Sequence, residues 1–210
     1  MAEPGFVSAA LTFPVGPLAA RVRHVVAVID GVHRVGSLPL IPIDHRVEVP
    51  GADGQYRFNR RNGRARGIGI GRNAPSPEFV LLHEIGHFLD HQALGNRGGF
   101  ASTRHPDLDD WRQAITESPT YEALSRGRRL LAFGDPSIND FQYLLDYTEL
   151  WARSYAQYVA LESQDPTLLR QLAAPPLGAV PYLWARWRDD DFDPVRAAIH
   201  ALLRTKGWLR

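Results

Sequence analysis

The sequence predicts an α+β fold: a small mixed β-sheet with an edge strand lies above a helix carrying His83-Glu84-Ile85-Gly86-His87, and a second helix opening on Glu149 follows. Three observations lead there. Alternating apolar residues and a turn pair mark strands between residues 38 and 70. A start signal and a helical period mark residues 77–94. A second long helical pattern covers residues 149–163.

Over residues 17–35, Leu18, Val22, Val25, Val26, Ile29 and Val32 recur at helical spacing, although the valines lower the propensity. Residues 38–49 (LPLIPIDHRVEV) alternate like a strand. Pro39 and Pro42 lack an N–H to donate, which restricts this strand to an edge or an irregular start. GQYRFN and RARGIGIG flank Asn62-Gly63, a hairpin turn pair. The second arm alternates Ile68 and Ile70 with glycines, the pattern of an edge strand approached closely by another backbone.

Ser76-Pro77-Glu78 is a helix start, with serine as N-cap, proline at the first helical position and an acid in the first turn. The helix is expected over residues 77–94, ending at Gly95. Residues 96–140 are polar and turn-rich, with short helices expected over 107–115 and 121–131. They are expected to form a variable insertion bordering a cleft. ELWARSYAQYVALES is a strong helix, and DPVRAAIHALLRTKGWL a last amphipathic one after the acidic run at residues 189–191. The expected organisation is one domain over residues 1–210, with a core over about 17–163 and a C-terminal helical extension from about 164.

Composition removes several function classes. A chain of 210 residues can bury one sizeable core. Its 44% apolar and 22% charged residues are those of an ordinary globular protein, and a net charge of +1 points to no nucleic-acid partner. The absence of cysteine excludes disulfides and thiolate metal sites, so any metal must be held by His, Asp or Glu. Pro4, Pro14 and Pro17 interrupt an N-terminus with no basic leader, and no apolar run approaches the roughly 20 residues of a membrane span. Lys206 is the only lysine, which reflects GC-rich coding. A soluble, cytoplasmic protein of a bacterium or phage is expected; association with a phage particle or non-classical export is the alternative.

His83-Glu84-Ile85-Gly86-His87 is an HExxH motif. Residues four apart share one side of a helix, so two imidazoles converge on one point while Glu84 stands about 100° round the axis. That supplies two ligands for Zn2+ and a base for a bound water. A zinc site of this kind needs a third protein ligand and an open fourth position. His91 lies about 12 Å along the axis from His83 and cannot join it at a bond length of about 2 Å. The metzincin pattern of a glycine and a third histidine is also missing, because Asp90 and Ala93 occupy those positions. Glu149 is the preferred third ligand, with Glu117, Glu122 and Asp146 as alternatives. Ala152, Ala156 and Ala160 form a small-residue stripe that lets the Glu149 helix lie close to the HExxH helix.

HEIGHFLDH followed by ELWARSYAQYV resembles the glutamate-zincins. It is most like the metallopeptidase domain of phage head-morphogenesis (MuF-like) and mobile-element proteins, and more distantly like anthrax lethal factor. The resemblance covers residues 67–159 and, more loosely, the last helix. It implies a zincin-like fold in which His83, His87 and Glu149 bind zinc and Glu84 is the general base. It also implies a tyrosine just before the glutamate helix as oxyanion donor: Tyr143 is the first choice and Tyr147 the second. ImmA/IrrE-like metallopeptidases share HELGHxxxH but bring their glutamate sooner. Thermolysin-like enzymes place an aspartate where this chain has Arg153.

Asp90 and Arg153 are candidates to pair across the two helices and orient the ligands, an ordinary exposed salt bridge or no contact at all being the alternatives. His91, His105 and His200 are expected to be structural or superficial. Trp184, Trp187 and Trp208 are expected to anchor the core or an interface. The expected function is a zinc endopeptidase acting on a protein or peptide substrate, with no nucleic-acid or membrane partner and no oligomeric state implied. Two rivals stand beside it: a non-catalytic, zinc-stabilised module of a phage or mobile element, and an anti-repressor protease.

Overall fold

Apolar alternation on one side of the sheet and apolar stripes on the helices packed against it bury each other in a mixed α+β architecture. The computed structural model describes residues 4–44, 53–95, 99–174 and 187–209. Its elements are β1 (Leu11–Thr12), α1 (Leu18–Val32), β2 (Ile41–Asp44), β3 (Gly54–Phe58), β4 (Ala65–Ile70) and α2 (Pro77–Leu89), then α3 (Asp109–Glu117), α4 (Pro119–Leu130), α5 (Ser137–Leu144), α6 (Tyr147–Ser163), α7 (Pro166–Ala173) and α8 (Asp189–Thr205). The sheet order is β1-β2-β4-β3. β1, β2 and β4 run parallel, and β3 is antiparallel to β4. Val22, Val25 and Ile29 of α1, Ile68 and Ile70 of β4, and Leu82, Ile85 and Phe88 of α2 are all fully buried in the common core.

The sheet corrects two expectations. β2 is interior: Ile41 and Ile43 face the core, while Pro42 faces outward and pairs only with Thr12 of the two-residue β1. A strand this short on one flank asks few bonds of a proline. The part of the expected strand beyond Asp44 lies outside the described residues. β4 is interior as well, and the edge is its hairpin partner β3. The glycines of β4 answer to a close neighbour, as expected, but that neighbour is β2: a Cβ on Gly67, at φ 153°, would stand 2.8 Å from the Pro42 carbonyl oxygen. The hairpin turns at Asn62-Gly63, where Gly63 takes φ 66°.

Helix α2 starts at Pro77, but Ser76 makes no side-chain cap bond. Gln171 of α7 substitutes for it, accepting from the Phe79 N–H at 2.9 Å and donating to Glu78 at 2.7 Å. Beyond Leu89 the helix widens into one π-helical turn, Asp90–Leu94. Gly95 then continues extended at φ −72° rather than left-handed. Glycine is needed there for room, since a Cβ would lie 2.1 Å from the Gly99 carbonyl oxygen.

Residues 99–144 are less of a loose insertion than expected. They hold three helices, and Trp111, Ile115 and Leu124 are buried. The unexpected one is α5, which has no fully buried residue: Ile138, Phe141 and Leu144 recur at helical spacing, but the run Gly134 to Asp140 reads as a turn. The acidic run belongs to the first turn of α8, where Asp191 accepts from the Thr120 N–H at 2.8 Å. Trp187 and Trp208 are buried; Trp184 lies outside the described residues. Among the described residues, no helix is long and apolar enough to cross a membrane.

Candidate metal centre

The centre begins with the contact between α2 and α6. Gly86, inside the HExxH segment, lets the two backbones meet, for a Cβ there would stand 3.0 Å from the Ala152 Cα and 3.1 Å from Tyr155. The Trp151 indole N–H closes the seam with a 3.0 Å bond to the Gly86 carbonyl oxygen. One turn earlier on each helix are His83 and Glu149, which the seam therefore brings face to face.

There His83 Nε2 and His87 Nε2 are 3.1 Å apart. Glu149 Oε2 lies 3.3 Å from His83 Nε2, and Glu149 Oε1 lies 3.3 Å from His87 Nε2. These three residues form a group that could hold a metal ion. Ligand atoms about 2.0–2.1 Å from a tetrahedral ion are about 3.3 Å from one another, so the spacing matches a site whose centre can accept a cation. Two further observations fit. Glu149 Oε2 is a buried oxygen without a hydrogen-bond partner, and the donor set of two imidazoles and a carboxylate is one that zinc accepts. Burial alone would raise the Glu149 carboxyl, but the two histidines outweigh it and hold it well below the usual range. Burial alone would lower His87; its bond to Glu149 and the charges of Glu149, Glu84 and Asp90 raise it instead.

Glu84 stands beside the ligands, buried under the edge strand. Burial, aided by the Glu149 charge, raises its carboxyl pKa against the opposing pull of His83, His87 and the Tyr56 N–H. β3 passes so near that a Cβ on Gly54 would lie 2.9 Å from Glu84 Oε1 and 2.4 Å from Val80 Cγ1. A cleft of about 430 Å³ opens here, lined by Gly54, Tyr56 and Phe58 of the edge strand, Phe100, Tyr143 and the charged residues of the centre.

The two candidate tyrosines separate. Tyr143, on α5, lines the cleft with its side chain 57% exposed. Its hydroxyl pKa is raised by desolvation and by the charge and hydrogen bond of Glu149, so it stays protonated. Tyr147 turns away: it packs edge-on against Trp111 at 6.2 Å and interacts with Tyr121.

The expected Asp90–Arg153 pair does not form. Asp90 is fully buried and accepts from the Ser102 N–H at 2.7 Å and the Ser102 hydroxyl at 2.6 Å. Desolvation raises its pKa to about 7 against these bonds. Arg153 donates to the carbonyl oxygens of Glu149 and Leu144, which fixes the turn that joins α5 to the ligand helix. Asp90 thus secures the 3-10 turn Ala101–Thr103, next to Phe100 in the cleft wall.

His91 takes no part in the metal group. It is buried, bonds Tyr56 Oη at 2.8 Å and stacks on Phe100 at 4.7 Å. Of the alternative ligands, Glu117 bonds Gln113, Glu122 pairs with Arg126, and Asp146 caps α6 through the Thr148 N–H. Gly54, Gly86, Phe100 and Ser102 did not emerge from motif reasoning; the glycine inside HEIGH, set opposite the alanine stripe, was the one available signal. Comparison of the chain with protein-family models, curated proteins and solved structures finds no match.

Proposed function

We propose that this protein is a zinc-dependent endopeptidase of zincin-like architecture. The observation that carries the reading is the convergence of three ligand atoms at tetrahedral spacing, next to a buried carboxylate and beneath β3, the edge strand among the described residues. A zinc ion held by His83, His87 and Glu149 would supply Lewis-acid polarisation of a peptide carbonyl and a water acidic enough to ionise near neutrality.

The chain's own groups provide the rest. Edge strand β3 offers backbone partners to an extended peptide, which fixes its direction across the cleft. Glu84, whose carboxyl pKa is raised by burial and which lines the same cleft, serves as the base that takes the water's proton and later returns it to the leaving amine. Tyr143, kept protonated beside Glu149, donates to the oxyanion. Arg153 holds the turn between Tyr143 and Glu149, so donor and ligand keep their separation. The open cleft favours an enzyme over a purely structural metal module, in which protein would close the fourth position.

The decisive experiment measures metal content and peptidase activity together. The purified protein should carry about one zinc per chain. Glu84→Gln should retain that zinc and lose activity by about 10²–10⁴-fold on a peptide library. A folded protein that takes up no zinc on titration removes the metal assignment, and full activity in Glu84→Gln removes the base.

A further inference from the structure

A second cavity among the described residues shares none of its lining with the metal cleft. It has a volume of about 810 Å³ and lies where the last turns of α1 and α6 meet α8. α6 connects the two regions: Glu149 is in its first turn and Glu162 in its last, about 20 Å apart along the axis. The volume is that of a small-molecule site.

Its charges are unevenly matched. Both acids on its wall already have partners: Glu162 is bonded by Arg196 at 2.6 Å. Asp165 caps α7 through the Thr167 and Leu168 N–H groups at 3.0 Å and pairs with His24 at 3.1 Å. Arg204, on the same wall, has no ion pair among the described residues. One turn earlier on α8, His200 Nδ1 is 3.2 Å from the Tyr158 hydroxyl. With that hydroxyl donating to Nδ1, the Nε2–H of His200 remains available, one helical turn from Arg204 on the same wall. Two N–H donors four residues apart on one helix face are a receptor for an anionic head.

The floor opposite is apolar. It is made by Val28 and Val32 of α1, with Leu209 beside them and Gly31 between. Gly31 is the informative residue. Glycine inside a helix costs about 1 kcal/mol relative to alanine. Gly86 of α2 offsets that through close backbone contact, but a Cβ on Gly31 would meet nothing within 4 Å. Packing does not require glycine there; its effect is to leave the floor of the cavity open.

We propose that this pocket binds a small amphipathic carboxylate, with the head on Arg204 and His200 and the aliphatic body over Gly31 between Val28 and Val32. The pocket is independent of the peptidase reading, because none of its residues belongs to the metal cleft.

The test uses octanoate, octanol and inorganic phosphate as probes against the whole chain, by calorimetry and by amide chemical shifts. Octanoate should bind at least about tenfold more tightly than octanol, and R204Q should abolish the difference. Gly31→Leu, which fills the floor at a position with free space and better helix propensity, should block octanoate while raising the melting temperature slightly and leaving metal content unchanged. Equal binding of octanoate and octanol would overturn the proposal, as would phosphate binding as tightly as octanoate. Undiminished binding to a folded Gly31→Leu would do the same. Should Gly31→Leu prove unstable, the R204Q comparison still decides.

Discussion

On one side of the metal cleft, α2 and α6 approach so closely that Gly86 has no room for a methyl group, and Asp90 and Phe88 are fully sealed from water. On the other side stands α5, with no buried residue, while Leu130 and Phe133 in the connection from α4 are 79% and 106% exposed. The residues that could hold a metal, His83, His87 and Glu149, belong to the first wall and Tyr143 to the second. The contrast is physical: ligand atoms spaced 3.1–3.3 Å apart need a close-packed backbone seam to stay in register. A hydroxyl that serves only the transition state needs reach, and a weakly packed wall can also admit a long substrate.

The largest effect tests how deeply the first wall is buried. Asp90 has its folded pKa raised from 3.8 to about 7 by desolvation. An acid raised in the folded state favours folding while protonated, and that contribution is lost as pH climbs from about 4 to about 7. The metal-free wild type should therefore lose up to about 4 kcal/mol of unfolding free energy across that window from this group. Asp90→Asn, which keeps an acceptor for the Ser102 N–H, should remove this component of the slope. Denaturant titrations at pH 5 and pH 8 measure it; parallel profiles for the two proteins would show that Asp90 is not insulated from water.

Tyr143 probes the second wall. Tyr143→Phe should lower turnover by about 10²–10³-fold with melting temperature and zinc content unchanged. Tyr147→Phe, altered in the Trp111 and Tyr121 packing instead, should stay within about threefold in rate and lose about 1 kcal/mol of stability. The reverse ranking would transfer the oxyanion role to Tyr147. Next comes Gly86→Ala, where one methyl must push apart two backbones. A loss of about 1–3 kcal/mol is expected, together with weaker zinc binding, because the seam and the ligand spacing are one structure. A stable variant with normal zinc affinity would separate them.

The same contrast explains what could be read from the sequence. Groups placed by local geometry were legible. His83 and His87 share a face because any helix puts residues four apart together, Asn62-Gly63 marked its hairpin, and the alanine stripe of α6 marked the face that would lie close. Groups placed by distant partners were not. The bond from Gln171 to the start of α2 spans 92 residues, and Ser102 shows no local sign of holding Asp90. The edge strand was assigned to the wrong arm because alternating glycine reports a close neighbour without reporting its side. α5 was missed because the turn-forming run Gly134 to Asp140 overlaps its start and obscures the helical spacing of Ile138, Phe141 and Leu144.

The smallest expected effect is the sharpest check on the second wall. Leu130 and Phe133 sit at its tip with almost no contact to lose, so the Leu130→Ser, Phe133→Ser double variant should change stability by less than about 0.5 kcal/mol. Turnover of a short peptide should also be unchanged, because such a substrate fills only the cleft between β3 and Tyr143. A long protein substrate crosses the wall as well as the cleft, and two exposed apolar side chains are where it would gain contact. A rise in KM confined to the long substrate, with kcat constant, would make the tip part of the binding surface. A fall in kcat on the short peptide would mean instead that α5 depends on the tip to hold Tyr143, and that the two walls are less separate than their burial indicates.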